Sequence, residues 1–254
     1  MKMHLYGLSE NPKMLLIHGV LTPWQVWEPQ VQHFKERYQV YVVELDGHTQ
    51  DKASRFVSIE AETEKIEKYC EDREIDTFDV VCGLSMGGLI AYTLWKNQRL
   101  KIRYLIMDGA PLIPIGRIAA AMMMRFYLKI VHKSQKRDPK TLDNFKRDFL
   151  PEKYLESYLA LVDLISDTSI ENIVHSVCQN DLRTDIENDT RILYIHGTKA
   201  NEALSQKSAK ILKEFYPKTE ILCFIGAAHG YKAVFEPDTW IAVVEDFLSE
   251  KSEE

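Results

Sequence analysis

The chain has almost nothing that would carry it through a membrane or onto a nucleic acid. No apolar run approaches the ~18 residues needed to span a bilayer. The stretch from Met1 to Gly7 has neither an apolar signal core nor a small-residue cleavage site. A cytoplasmic protein without stable membrane insertion is therefore expected. Basic residues are not in excess. The formal net charge is −6, which leaves no overall electrostatic footprint for nucleic acid. Cysteine is sparse: four residues, at 70, 82, 178 and 223, lie scattered without metal-ligand spacing. Cys82 and Cys223 fall in apolar, strand-like runs, so buried free thiols in a reducing compartment are expected. Internal repeats and low-complexity linkers are missing too.

What is present is an alternation of apolar strand-like runs with helical stretches, the pattern of an α/β fold with a mostly parallel central sheet flanked by helices. Strands are predicted at 13–18, 39–44, 78–82, 102–107, 191–196 and 220–225. Helices are predicted near 28–37, 58–73, 86–97, 202–215 and 237–250. The strand runs Ile102–Met107 and Arg191–His196 are separated by about 80 residues without a convincing strand, too many for a loop in a compact domain. They read as an inserted helical cap over 111–188, with 1–110 and 189–254 forming the core. A chain of 254 residues, 45% hydrophobic, suffices for one large core with such an insertion.

The segment that carries chemistry is Val80-Val81-Cys82-Gly83-Leu84-Ser85-Met86-Gly87-Gly88. A β-branched run enters Gly-x-Ser-x-Gly and a helical stretch, Leu89 to Trp95, follows. A serine hydroxyl is a poor nucleophile unless it is held clear of the backbone beside a base. A strained strand-turn-helix elbow does this, with glycine where a Cβ would collide. The following helix offers free N–H groups and its positive dipole end to a developing negative charge.

Two other segments share that pattern's logic: Met14 to Leu21, a short strand ending in His18-Gly19, and Ile221 to Gly230, a late strand leading to His229-Gly230. Together with the Ser85 elbow they resemble the α/β-hydrolase superfamily, over nearly the whole chain and in the expected order. The resemblance implies Ser85 as nucleophile and His229 as general base. It implies an oxyanion hole from the N–H of Met86, the residue after the nucleophile, and of Val20, after His18-Gly19. Gly226-Ala227-Ala228-His229-Gly230 resembles the family's Gly-x-Gly-His with Ala228 at the second glycine. His18 is expected to be structural in the oxyanion loop and His196 a core or rim residue. His4, His33, His48, His132 and His175 have no motif role at the base position.

The acid departs from the family pattern. Relatives place an Asp in a Gly-x-x-Asp pattern after the penultimate strand, whereas here Gly197-Thr198-Lys199 is followed by Ala200, then Asn201 and Glu202. Glu202 is the expected acid, its extra methylene tolerating the shift. Asp108, at the end of the preceding strand, is the alternative, since some lipases of this superfamily take their acid there; otherwise it caps the start of the insertion. A Ser–His dyad with Asn201 orienting the base is a third possibility. Glu44-Leu45-Asp46-Gly47-His48-Thr49 matches the family's Asp-x-Pro-Gly-His-Gly only at Gly47 and His48. One of Trp24 and Trp27 is expected to pack under the oxyanion loop.

The insertion contains Met122-Met123-Met124, suited either to lining an apolar pocket or to ordinary packing. Residues 117–147 contain nine Lys or Arg and few acids, a run that would attract an acidic substrate or a membrane surface, or serve as a solvated helix face. The expected function is a serine hydrolase, specifically a carboxylesterase, cleaving a small ester or related acyl compound through an acyl-enzyme. It would work without metal or organic cofactor, as a monomer or homodimer. The alternatives are a lyase or C–C bond enzyme resembling a menaquinone-pathway synthase, and a ligand-binding homologue that has lost the acid.

Overall fold

The structure is a computed structural model that describes residues 1–249 except 181, 184, 187 and 188. Seven strands form one sheet: β1 (Lys2–Tyr6), β2 (Lys13–Ile17), β3 (Gln39–Glu44), β4 (Thr77–Leu84), β5 (Lys101–Asp108), β6 (Arg191–Gly197) and β7 (Glu220–Phe224). Their order is β1-β3-β2-β4-β5-β6-β7, and every pairing is parallel except β1 with β3. The middle strands are buried on both faces, which is why they read as unbroken apolar runs such as Met14 to Ile17 and Val80 to Cys82. Helices α1 (Glu28–Phe34), α2 (Ile59–Glu71) and α3 (Met86–Asn97) follow the early strands, and α8 (Ala203–Phe215), α9 (Tyr231–Phe235) and α10 (Pro237–Ser249) the late ones.

Six strands lie within a few residues of their predicted places; β1 was not predicted. Lys2–Tyr6 is an edge strand with one neighbour and only partial burial, so its polar-apolar mixture carries little of the hydrophobic signal that marks a core strand. The helix predicted over 28–37 stops at Phe34, where the Tyr38 N–H turns back to the Phe34 carbonyl at 2.8 Å. Cys223 corrects another expectation. Cys70, Cys82 and Cys178 are buried and Cys223 is exposed, because β7 is the opposite edge of the sheet and Cys223 points away from it; all four thiols are free.

Between β5 and β6 the chain forms α4 (Arg117–Gln135), α5 (Pro139–Asp148), α6 (Leu155–Val162) and α7 (Asp167–Cys178), with no strand among the described residues. Asp138 and Ser166 start α5 and α7 by accepting from the N–H groups of Thr141 and Ser169. The pairing Leu84↔Asp108↔Ile195 places the carboxyl ends of β4, β5 and β6 side by side. Gly197↔Phe224 extends this row to β7. The residues that follow these strands therefore meet at one edge, where open α/β sheets bind ligands.

Candidate active site

Ser85 sits at the turn from β4 into α3 with φ 55° and ψ −115°. The turn is possible only because two neighbours lack side chains. A Cβ on Gly83 would lie 2.2 Å from the Gly87 carbonyl oxygen, and one on Gly87 would lie 2.2 Å from that of Ile17. The Ser85 N–H donates to the Asp108 carbonyl at 2.7 Å, which ties the elbow to the end of β5.

His229 reaches Ser85 from the loop after β7, with Nε2 2.8 Å from the hydroxyl oxygen. That loop is clasped to the one after β6. Thr198 and Lys199 both donate to the Ala227 carbonyl at 3.1 Å, and Gly226 donates to the Thr198 hydroxyl at 2.7 Å. Behind the imidazole stands Glu202, at the end of the 3-10 turn Ala200–Glu202 and wholly buried. Its Oε1 lies 3.2 Å from His229 Nδ1. The contact is ion-pair distance but angled away from a hydrogen bond, and neither Glu202 oxygen has another hydrogen-bond partner among the described residues.

The electrostatics agree with that order of residues. Burial works against a charged His229, but the Glu202 carboxylate outweighs it and Asp108 adds to it, so the imidazole pKa rises above its ordinary value. Burial likewise opposes the Glu202 carboxylate, and the contact with His229, with Ser205 and His196 adding to it, outweighs burial and leaves the carboxyl below its usual value. Asp108 is also buried, but it accepts from the Trp240 indole N–H at 3.1 Å and makes no ion pair with His229 among the described residues. Burial, then the charge of Glu202, push its pKa up to about 7. Asn201 contacts His229 through the backbone, accepting from the His229 N–H at 3.4 Å, so it holds the loop rather than the ring.

Gly109 packs directly on the His229 ring. It has φ +68°, and a Cβ there would lie 2.5 Å from His229 Cε1. A Gly109→Ala substitution is expected to displace the imidazole and lower kcat ~10²-fold, the scale on which small misplacements act. Measured kcat beside the melting temperature tests this: a loss of kcat with folding retained is the expected pair of results.

Among the described residues the N–H groups of Val20 and Met86 have no acceptor, while the Leu21 N–H donates to His48 Nε2 at 3.1 Å. His18 Nε2 accepts from the Leu45 N–H at 3.2 Å. His48 thus has a place that motif reasoning did not assign: with His18 it fixes the loop that carries Val20. Each ring also contacts a carbonyl through Nδ1, Gly19 for His18 and Asp46 for His48. Burial pushes the pKa of His18 down to about 3, with His48 adding to it, and burial pushes His48 down to about 4. An unfolded histidine titrates near ~6.5, so protonation favours the unfolded chain. The stability these groups contribute is present above that value and is lost as pH falls toward about 4. Melting temperature should decline over this window, and less steeply in a His48→Gln variant; equal slopes would refute the assignment.

Two apolar chambers meet at the Ser85–His229 pair. One of about 220 Å³ extends under Met123 of α4 and Ile173 and Val177 of α7. A smaller one of about 80 Å³ reaches Leu21, Phe145 and Leu150. Phe126, Tyr127 and Phe149 border both. Met123 lines a chamber and Met124 packs against the core, while Met122 is 64% exposed, so the run covers both expected roles and leaves one methionine in solvent. Trp27 is the buried tryptophan of the pair and packs on Trp240 at 5.5 Å, while Trp24 stacks on His4 at 4.0 Å. His196 is buried at the rim of β6, with Nδ1 2.8 Å from the Gly197 carbonyl oxygen. No group of His, Cys, Asp or Glu among the described residues is arranged to hold a metal ion. No helix among them is long and apolar enough to cross a membrane.

A mostly parallel sheet with a serine elbow after its fourth strand and a histidine loop after its last is the arrangement of an α/β hydrolase. Residues 14–245 match the alpha/beta hydrolase family, and the chain belongs to it. A putative alpha/beta hydrolase family protein from Desulfitobacterium hafniense superposes with a TM-score of 0.78 at 23% identity, over 98% of this chain and 100% of that one. An esterase from Exiguobacterium antarcticum superposes with a TM-score of 0.74 at 17% identity, covering 98% of this chain and 96% of the other. At these identities the likeness is one of fold. In sequence, a pimeloyl-[acyl-carrier protein] methyl ester esterase of Legionella pneumophila is 29% identical over 106 residues, 42% of this chain and 41% of that protein. The match thus spans about two fifths of the relative's length.

Proposed function

We propose that this hydrolase is a serine esterase, of the carboxylesterase type, that cleaves a small ester through an acyl-enzyme. The observation that carries this is the contact of His229 Nε2 with the Ser85 hydroxyl at 2.8 Å, with Glu202 behind the ring at 3.2 Å. Ser85 Oγ attacks the acyl carbon as its proton passes to His229 Nε2. Glu202 holds the tautomer and balances the imidazolium that forms. The N–H groups of Val20 and Met86 take the oxyanion, and His229 returns the proton to the leaving alkoxide. Water then repeats the sequence on the acyl-enzyme. Each chamber is smaller than the ~300–1,000 Å³ of drug-sized sites, which favours a small substrate. The helices α4 to α7 act in this reading as a cap that closes the chambers.

A ligand-binding homologue would have lost its acid, and the buried carboxylate of Glu202 beside His229 speaks against that reading. The test is a fluorophosphonate probe together with hydrolysis of p-nitrophenyl acetate, butyrate and octanoate. Labelling of the native protein and a burst of p-nitrophenol are expected, both absent in Ser85→Ala. Label that persists in the variant would overturn the assignment. No ester turnover above the Ser85→Ala background would favour the lyase-type use of Ser85 as a base or the ligand-binding reading.

A further inference from the structure

Charge is divided unevenly along this chain. Residues 117–148, which span α4 and α5, hold nine Lys or Arg against three Asp in a protein of net charge −6. Several of these cations are neutralised: Lys133 by Asp138, Arg137 by Asp163, Lys146 by Asp143, and Arg147 by Asp148. Lys129 and Lys140 are exposed and have no ion-pair partner among the described residues. Both border a hollow of about 450 Å³ between α4 and α5, which Lys133 and Arg147 also line. Its one acid, Asp148, is held by Arg147 at 2.7 Å.

The hollow is joined to the catalytic site by shared walls. Phe126, Ile130, Phe145 and Phe149 line it on one side and the smaller Ser85–His229 chamber on the other. A ligand crossing between these side chains would pass from an apolar chamber to a cationic basin within one side chain's thickness.

We propose that the α4–α5 hollow binds the anionic end of the substrate, a carboxylate or phosphate on a chain whose ester lies at Ser85. This rests on the esterase reading of Ser85. Each exposed cation contributes little alone, but several converging on one anion in a concave site act together. They also draw an anionic substrate toward an otherwise acidic protein. Concavity favours a discrete group over a flat anionic surface. The most exposed apolar side chains of α4, Ile118 and Met122, lie outside the hollow's lining, while the half-exposed Phe126 and Phe149 form its wall toward Ser85.

The test compares esters of equal acyl length on the full chain. p-Nitrophenyl hexanoate is set against mono-p-nitrophenyl adipate and the p-nitrophenyl ester of 6-phosphohexanoate. At low salt at least one charged ester should exceed the neutral one ~10-fold in kcat/KM, and the ratio should fall toward one in 0.5 M salt. The double substitution Lys129→Met with Lys140→Met should bring the ratio to about one. A ratio of one in the native protein, or a preference that survives the double substitution, overturns the proposal. Calorimetric binding of hexyl phosphate against hexanol gives a readout independent of turnover. Tighter binding of the phosphate, lost in the double variant, is expected, and equal binding overturns the proposal. If the native protein hydrolyses no ester but binds hexyl phosphate in this way, the esterase reading fails and the anion site stands. Sedimentation with phosphatidylglycerol vesicles in the absence of any charged-ester or phosphate preference would make the cations a membrane-binding face instead.

Discussion

A Ser85→Ala protein is expected to hydrolyse p-nitrophenyl butyrate ~10⁵–10⁶-fold more slowly than the native one in kcat, the scale on which loss of a serine nucleophile acts. The change deletes one oxygen, the atom that stands 2.8 Å from His229 Nε2. Alanine fits the same turn, because the clearances that shape it belong to Gly83 and Gly87. The fold should therefore persist, and melting temperature and substrate-analogue binding should change little. What remains is catalysis by the oxyanion donors and the chambers alone. Rate constants normalised to active sites, measured with and without the probe, decide the matter. A variant within tenfold of the native kcat would sink the nucleophile assignment.

Glu202→Gln is expected to lower kcat ~10³–10⁴-fold, with Asp108→Asn lowering it less than tenfold at pH 8. Glutamine matches glutamate in size but carries no charge. It can present an N–H to His229 Nδ1, which favours the wrong tautomer and leaves the imidazolium unbalanced. Asp108 acts from further away, through its charge. In the proposed mechanism His229 must be neutral to accept the Ser85 proton, so kcat/KM should rise with pH through the imidazole pKa, which lies above its ordinary value. Asp108 contributes to that rise, so Asp108→Asn should move the acid limb of kcat/KM to lower pH while leaving the plateau near its native height. With its own pKa near 7, Asp108 exerts this effect mainly on the upper part of the limb. A collapse of the plateau in Asp108→Asn with a mild effect of Glu202→Gln would exchange the two roles.

Strong local patterns carried the fold. The core strands were legible because burial on both faces requires unbroken apolar runs. The elbow was legible because strand, glycines and helix follow one another within a dozen residues. β1 was not, since an edge strand with one neighbour needs little apolar character. Cys223 misled for the same reason: alternation at an edge strand sends every second residue outward. Glu202 and Asp108 were both candidates from sequence because each ends or follows a strand at the same sheet edge. Only the three-dimensional arrangement distinguishes the carboxylate against the imidazole from the one against Trp240. Two contacts were not legible, although His48 itself matched a family motif. The packing of Gly109 on His229 and the holding of the Val20 loop by His48 join residues far apart in the chain.

The backbone at residue 85, with φ 55° and ψ −115°, has a consequence for how far this protein can be stabilised. A side chain held in a sparsely populated region costs about 1–3 kcal/mol, a sizeable share of the ~5–15 kcal/mol that separates a typical domain from its unfolded chain. Glycine at this position would relieve the strain and remove the hydroxyl together. If Ser85 is the nucleophile proposed above, selection for thermal robustness alone runs toward an inert protein here, and any gain in heat tolerance must come from positions that leave the elbow under tension.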